Sequence, residues 1–274
     1  MIAGKGRTRT AVCVMLVLVV CASLITLAAG INLPKASGKS VKKDGKMVVD
    51  CSNISEGYIM VKAKKTSKRL KLQISTADAK LNYDLNSDGE YEVFPLQLGN
   101  GKYQVSLFEN VTGKKYANEG SVKLSVKMKD TLSCFTYPNQ YVNYDENTAC
   151  VKQSLAMCKG MKDQTEIYRT VCKYIKDNFV YDFMKSVSVK AGQLPDIDDC
   201  WKKKMGICQD LSAMTCAMLR CQGIPARLMI GTVGANTYHA WVVAVVNGKE
   251  HFFDPTAELN ASSKASTYTT ERYY

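Results

Sequence analysis

Residues 206–222 read GICQDLSAMTCAMLRCQ. Ile207–Gln222 is expected as a helix, stopped by Gly223 and then Pro225. Gly206-Ile207-Cys208-Gln209-Asp210 opens it, so Cys208 stands at its N-terminal end. A helix N-terminus presents unpaired N–H groups and the positive end of the dipole. Both favour a thiolate, the nucleophilic form of cysteine. The same N–H groups suit an oxyanion forming on an attacked carbonyl. No other cysteine has this setting: Cys216 and Cys221 lie inside the same helix, and Cys172 inside an earlier one. On position alone, a buried or disulfide-bonded Cys208 fits as well as a catalytic one. Asp210, two residues on, suits a cap on the helix start better than a part in chemistry.

The segments after this helix sharpen the choice. Arg227–Thr232, Ala240–Val246 and Glu250–Asp254 carry strand-like sequence, and Asn247-Gly248 joins the last two as a two-residue hairpin turn. With that turn Val246 faces Lys249, and Asp254 faces Trp241. His239 lies two residues before Trp241, on the same face as Asp254, at roughly 7 Å between diagonal Cβ atoms. His251 has the opposite parity and points to the other face. The sequence has 2 His, and the register selects His239. Alone, His239 reads as a structural histidine; beside Cys208 and Asp254 it reads as a base. It would take the Cys208 proton and return it to a leaving group, while Asp254 orients the ring. Such a set performs acyl transfer through a thioester. Water as acceptor gives hydrolysis, and an amine gives transamidation.

Thr165–Phe179 places Ile167, Val171, Tyr174, Ile175 and Phe179 at helical spacing, with Asp163 or Thr165 able to cap its start. Residues 131–274 therefore read as α+β: helices first, then an antiparallel sheet. Residues 47–130 have another texture. Tyr58–Ala63, Leu70–Ile74, Tyr91–Leu98, Tyr103–Phe108 and Val122–Met128 suit strands, split by turns at 86–89 and 99–101. That spacing suggests an all-β, immunoglobulin-like sandwich without a catalytic constellation. Asp84, Asn86 and Asp88 lack the later Glu of a calcium loop and read as a plain turn. Residues 31–46, rich in Lys, Gly and Ser, read as a linker.

Lys5, Arg7 and Arg9 precede an uncharged apolar run, Ala11–Ala29, with small residues at 28 and 30. Residues 1–30 thus read as a signal peptide or an uncleaved signal anchor, and the rest of the chain is expected outside the cytoplasm, secreted or surface-tethered. The formal charge is +12 from 37 Lys+Arg and 25 Asp+Glu. Residues 31–130 hold 18 basic and 11 acidic residues, net +7; residues 131–274 hold 16 and 14, net +2. The basic excess on the β module suits an anionic wall polymer or membrane surface as partner; nothing points to nucleic acid. Cysteines number 11, nine of them beyond residue 30, which leaves an odd thiol outside the cell. Their spacing fits no zinc knuckle pair, and no metal or cofactor is expected. The sequons at Asn53, Asn110 and Asn260 are near chance for this length.

GICQD, then MLRCQGIPAR, YHAWV and FFDPT together resemble the transglutaminase-like cysteine enzymes, and IYRTVCKYIKDNFVYD is similar to the helix leading into their core. The resemblance covers about 168–256. It implies a papain-like fold, with a Cys-bearing helix packed on an antiparallel sheet bearing His and Asp. It also implies Cys208 as nucleophile, His239 as base, Asp254 as third member, and a protein or peptide substrate. Secreted bacterial members often carry a β-sandwich in front. The family includes cross-linkers, peptidases and inactive scaffolds. The alternative function is therefore a non-catalytic scaffold whose basic β module binds anionic polymers. Trp201 and Tyr181 are candidates for a second oxyanion donor, though core aromatics suit both. Asp196, Asp198 and Asp199, followed by Lys202-Lys203-Lys204, read as a solvated loop or a cleft rim. Arg227 reads as structural.

Overall fold

A computed structural model describes residues 31–259 and 267–274. The signal or anchor segment and the Asn260 sequon lie outside the described residues. Among the described residues no helix is long and apolar enough to cross a membrane.

Strands β1 (Val41–Asp44), β2 (Met47–Asp50), β3 (Tyr58–Ala63), β4 (Leu70–Ser75), β5 (Lys80–Leu85), β6 (Glu92–Pro95), β7 (Gly101–Thr112) and β8 (Lys115–Val126) come first. They form two antiparallel sheets, ordered β1-β2-β3-β6 and β5-β4-β7-β8. Side chains alternate across each strand, so Leu70, Leu72 and Ile74 are buried while Lys71, Gln73 and Ser75 are half-exposed. Leu107 and Val105 of β7 stand opposite Leu72 and Ile74. The other sheet buries Val49, Ile59, Val61 and Phe94. Tyr83 on β5 meets Phe94 on β6 edge-on at 5.2 Å, one ring from each sheet of the sandwich.

The expected linker over 31–46 is corrected. β1 folds onto β2 through a left-handed turn at Gly45 (φ 54°), where a Cβ would strike the Glu119 carbonyl. The residues before β1 are also tied down, with Gly38 N–H donating to Asp50 at 2.6 Å. The exposed VKKD of β1 has no apolar alternation, so its strand pairing left no hydropathic trace. β5 is a further strand that the sequence reading omits; only Tyr83 and Leu85 of it are buried. Asn86–Gly89 is a turn, where Asp88 accepts from Glu90 N–H at 2.9 Å.

The second part begins with helices α1 (Ala149–Met157) and α2 (Gln164–Asn178), then β9 (Val180–Tyr181), α3 (Phe183–Ser188), α4 (Ile197–Lys203) and β10 (Met205–Gly206). Helix α5 (Cys208–Arg220) follows, then β11 (Ala226–Val233), β12 (Thr237–Val246), β13 (Lys249–Phe253), α6 (Pro255–Leu259) and β14 (Tyr268–Tyr273). The sheet is antiparallel, ordered β13-β12-β11-β14. Helix α5 is buried along its length except at Gln209, packed on β11 and β12 and covered by α1, α2 and α4. Helix α2 buries Ile167, Val171 and Ile175 and is capped by Asp163, which accepts from Thr165 N–H at 3.0 Å. The fold class is α+β, as expected.

The Asp-rich segment is a helix rather than a solvated loop. Asp196 caps α4 by accepting from Asp199 N–H at 2.9 Å. Acidic residues fill its first turn and Lys202 and Lys203 its last, an order that complements the helix dipole. The two parts of the chain also touch. Tyr274 stacks on Tyr141 at 3.6 Å, and Tyr83 of the sandwich meets Tyr274 edge-on at 5.9 Å. The Gln97 amide donates to the Tyr273 carbonyl.

Candidate active site

The site starts from one hairpin. Val246 pairs with Lys249, and the ladder runs unshifted to Val242 opposite Phe253. The next step brings Asp254 to Trp241 and sets His239 diagonally across. His239 Nε2 lies 2.8 Å from Asp254 Oδ2. His251 pairs with Ala244 and turns to the other face, its ring 5.2 Å from that of Tyr168 on α2.

Cys208 is the first residue of α5, and Ile207 before it is extended. The first N–H groups of a helix have no partner within the helix, so this turn offers donors beside the sulfur. The Cys208 thiol is among the groups acting on the His239 ring. Thiol, imidazole and carboxylate thus lie together, with the imidazole hydrogen-bonded to the carboxylate. Burial works against a charged His239, but the hydrogen bond to Asp254, with the nearby Cys208 thiol, outweighs it and pushes the ring up to about 9. Burial likewise works against the Asp254 carboxylate. The hydrogen bond and charge of His239, with the Tyr268 hydroxyl and the Ala257 N–H, hold it below the usual carboxylate value.

Tyr268 was not singled out in the sequence. Its hydroxyl donates to Asp254 Oδ2 at 2.7 Å, the same oxygen that His239 uses. Ala257 N–H, in the first turn of α6, donates to Asp254 Oδ1 at 3.1 Å. The Tyr268 ring also packs against Trp241 at 5.1 Å and Phe252 at 4.8 Å. Gly231 allows this approach. It pairs with His239 on one side and Thr270 on the other, and a Cβ there would strike the Thr269 carbonyl. The strand YTTERY contains no signal linking it to Asp254.

Asp210 anchors the turn that carries Cys208. Fully buried, it accepts from Ile207 N–H at 3.1 Å, as the expected cap, and from Asp196 N–H at 3.0 Å. Lys185 of α3 reaches the same carboxylate at 2.7 Å. One side chain therefore ties α3, the start of α4 and the entry of α5 together. A buried charge with its counter-charge and two N–H donors meets the requirement for a tolerated interior ion pair.

Residues 152–254 match the family model described as the transglutaminase-like superfamily, a span holding Cys208, His239 and Asp254. This span is a transglutaminase-like domain. In three dimensions the chain is similar to a candidate cysteine protease from Cytophaga hutchinsonii, at 12% identity and TM-score 0.40, covering 79% of this chain and 78% of that one. It is similar to the periplasmic domain of TgpA from Pseudomonas aeruginosa, at 15% and 0.38, covering 83% and 77%. It is also similar to red sea bream transglutaminase, at 13% and 0.32, covering 73% of this chain and 48% of that one. No curated protein matches the chain in sequence.

The two aromatic candidates for a second oxyanion donor in the transglutaminase-like domain separate in space. Trp201 stacks on Tyr174 at 5.9 Å and lies under the Lys204 ammonium at 3.4 Å, in an aromatic cluster. Tyr181 pairs with Gly206 across β9–β10, and Cys208 is among the groups acting on its phenol, which burial pushes up. Arg227 is structural: it pairs with Glu250 and faces the rings of Phe135 and Tyr273. The nine described cysteines are free thiols.

Proposed function

We propose that this chain is a secreted or surface-tethered cysteine enzyme that acylates Cys208 with an amide of a protein or peptide and passes the acyl group to water or an amine. The observation that carries the reading is the 2.8 Å His239–Asp254 contact beside a thiol at a helix start. In the first half-reaction the Cys208 sulfur bonds to the amide carbon. Its proton moves through His239 to the leaving amine as the C–N bond breaks. In the second, water or an amine gives its proton to His239 and attacks the thioester, and sulfur leaves. The α5 N–H groups face the oxyanion in both steps.

A peptide-and-amine library incubated with the enzyme and read by mass spectrometry tests this. Amine-bearing products mean transamidation, and shortened peptides mean proteolysis. Neither product, with a Cys208→Ala variant that keeps full biological activity, means a scaffold.

A second role is proposed for the basic sandwich. Lys42, Lys102 and Lys123 line one groove with Ser75, Thr76 and Gln104, a setting that suits an anionic wall polymer or membrane surface. Deleting residues 31–130 would strip Tyr83 and Gln97 from Tyr274 and Tyr273, so charge reversal is the cleaner test. Lys42→Glu with Lys123→Glu is expected to abolish retention on an acidic polymer; unchanged retention removes this role.

A further inference from the structure

Helix α3 is inverted. A short helix beside a core normally turns its apolar residues inward and its charges outward. Here Lys185 is 18% exposed and reaches in to Asp210, while Phe183, Met184 and Val187 are 66%, 79% and 83% exposed. These three share one outward side of a single turn. Val180 and Met205, which pair across β9–β10, are exposed apolar residues too, and Met205 is three residues before Cys208. Phe183 meets the Tyr181 ring edge-on at 5.0 Å. Asp182 N–H donates to the Gly206 carbonyl at 3.0 Å, and Lys185 holds Asp210, so the helix is fixed to the entry of α5. A soluble protein seldom gathers large apolar side chains at one exposed spot without a partner for them.

We infer that α3, with Val180 and Met205, is the platform on which an extended peptide substrate lays large apolar side chains next to the amide that Cys208 attacks. This rests on the reading of Cys208 as the acylated nucleophile. Whatever presents a carbonyl to Cys208 must lie over the surface beside it, and that surface offers hydrophobic contact. A bilayer or a second copy of the chain on the same platform would close off the thiol, which favours the peptide. The substrate class is thus a peptide with Leu-, Met- or Phe-like residues flanking the reactive amide.

Three alkylating probes test the platform: bare chloroacetamide, and two dipeptides, Leu-Phe and Asp-Ser, each carrying the same chloroacetyl group. The rate of Cys208 modification is read by mass spectrometry, and each dipeptide rate is divided by the chloroacetamide rate of the same protein. Burial of one large side chain sets the expected preference for Leu-Phe over Asp-Ser at about tenfold in the wild type. In Met184→Ser with Val187→Ser the ratio is expected to fall towards one. Equal rates for the two dipeptides on a reactive Cys208 overturn the platform alone. Chloroacetamide modification with the pH dependence of an ordinary free thiol overturns the nucleophile reading, and the platform with it. A dimer in sedimentation, or binding to phosphatidylglycerol vesicles, that the double variant loses also overturns it, by giving the surface another occupant.

Discussion

The two ends of α5 solve the same problem in opposite ways. Each buries a charge that complements the helix dipole, Asp210 at the start and Arg220 at the finish. Arg220 is sealed. Its guanidinium donates to the carbonyls of Ala226 at 2.7 Å, Tyr137 at 2.8 Å and Tyr274 at 2.8 Å, locking β11, β14 and the approach from the sandwich to one helix end. Asp210 is also saturated, but the turn it fixes leaves Cys208 facing His239. Two cysteines lie toward the Arg220 end, one buried and one half-buried. Burial pushes Cys216 up to about 12 and Cys221 up to about 11, which keeps them as thiols. The lesson is that one helix carries a sealed end and an end proposed for chemistry, and they differ in what is left unsatisfied.

This contrast can be broken first at Cys208. Cys208→Ala is expected to lower turnover of any acyl donor by about a thousandfold or more while leaving the melting temperature nearly unchanged. A variant with residual turnover of a tenth or more would move the chemistry elsewhere. Arg220→Met is expected to do the reverse. It removes the side-chain donor of the Tyr137 and Ala226 carbonyls and one of the two donors of Tyr274, which also accepts from Leu228 N–H, at a cost of about 3 kcal/mol in denaturant unfolding. Below its midpoint the alkylation rate of Cys208 should match wild type; a parallel loss of both would merge the two ends into one.

Asp210→Asn probes the link between anchor and chemistry. It leaves the Lys185 ammonium facing a neutral group, with an expected destabilisation of about 2 kcal/mol. Iodoacetamide labelling of Cys208 should slow by a smaller factor than in His239→Ala. Equal slowing would make Asp210 part of the chemistry. Tyr268→Phe keeps the ring and removes one hydrogen bond to Asp254, so kcat/KM should drop by about fivefold. Its acid limb should also move to higher pH, because the carboxylate loses a donor that favours its charged form. An unmoved limb would reduce Tyr268 to packing.

The smallest effect is in pH. His239 is raised from 6.5 to about 9, so its charged form is favoured by folding. That stabilisation is complete below about 6.5 and is lost as pH rises through about 9. Asp254 is lowered, so its share is present above its unfolded value and lost on acidification. The stability gap between wild type and His239→Gln should therefore be widest in mildly acidic solution and shrink in alkali. A gap that grows above pH 9 would contradict the assignment.

Much of the site was legible because short-range rules govern it. Asn247-Gly248 sets the hairpin register, and the two-residue period then carries His239 to the Asp254 side and His251 away from it. The helix of Cys208 announced its end at Gly223 and Pro225. Where apolar alternation was weak the reading failed. VKKD in β1 and KLNYDL in β5 earn their strand state from partners, not from their own pattern. The 196–204 segment looked like a loop because its charges dominated, although their order is that of a capped helix.

The amino-acid sequence by itself determined the α+β class, the transglutaminase-like pattern, and the placing of His239 beside Asp254. Each follows from spacing over a few residues or from one turn. Only the tertiary structure decided that Tyr268 shares the Asp254 oxygen, that Lys185 turns inward to Asp210, and that α3 faces outward with its apolar side. These contacts join segments 14 to 25 residues apart with no periodic relation between them. Their energies depend on burial and on the close approach of β14 past Gly231, which no local pattern encodes.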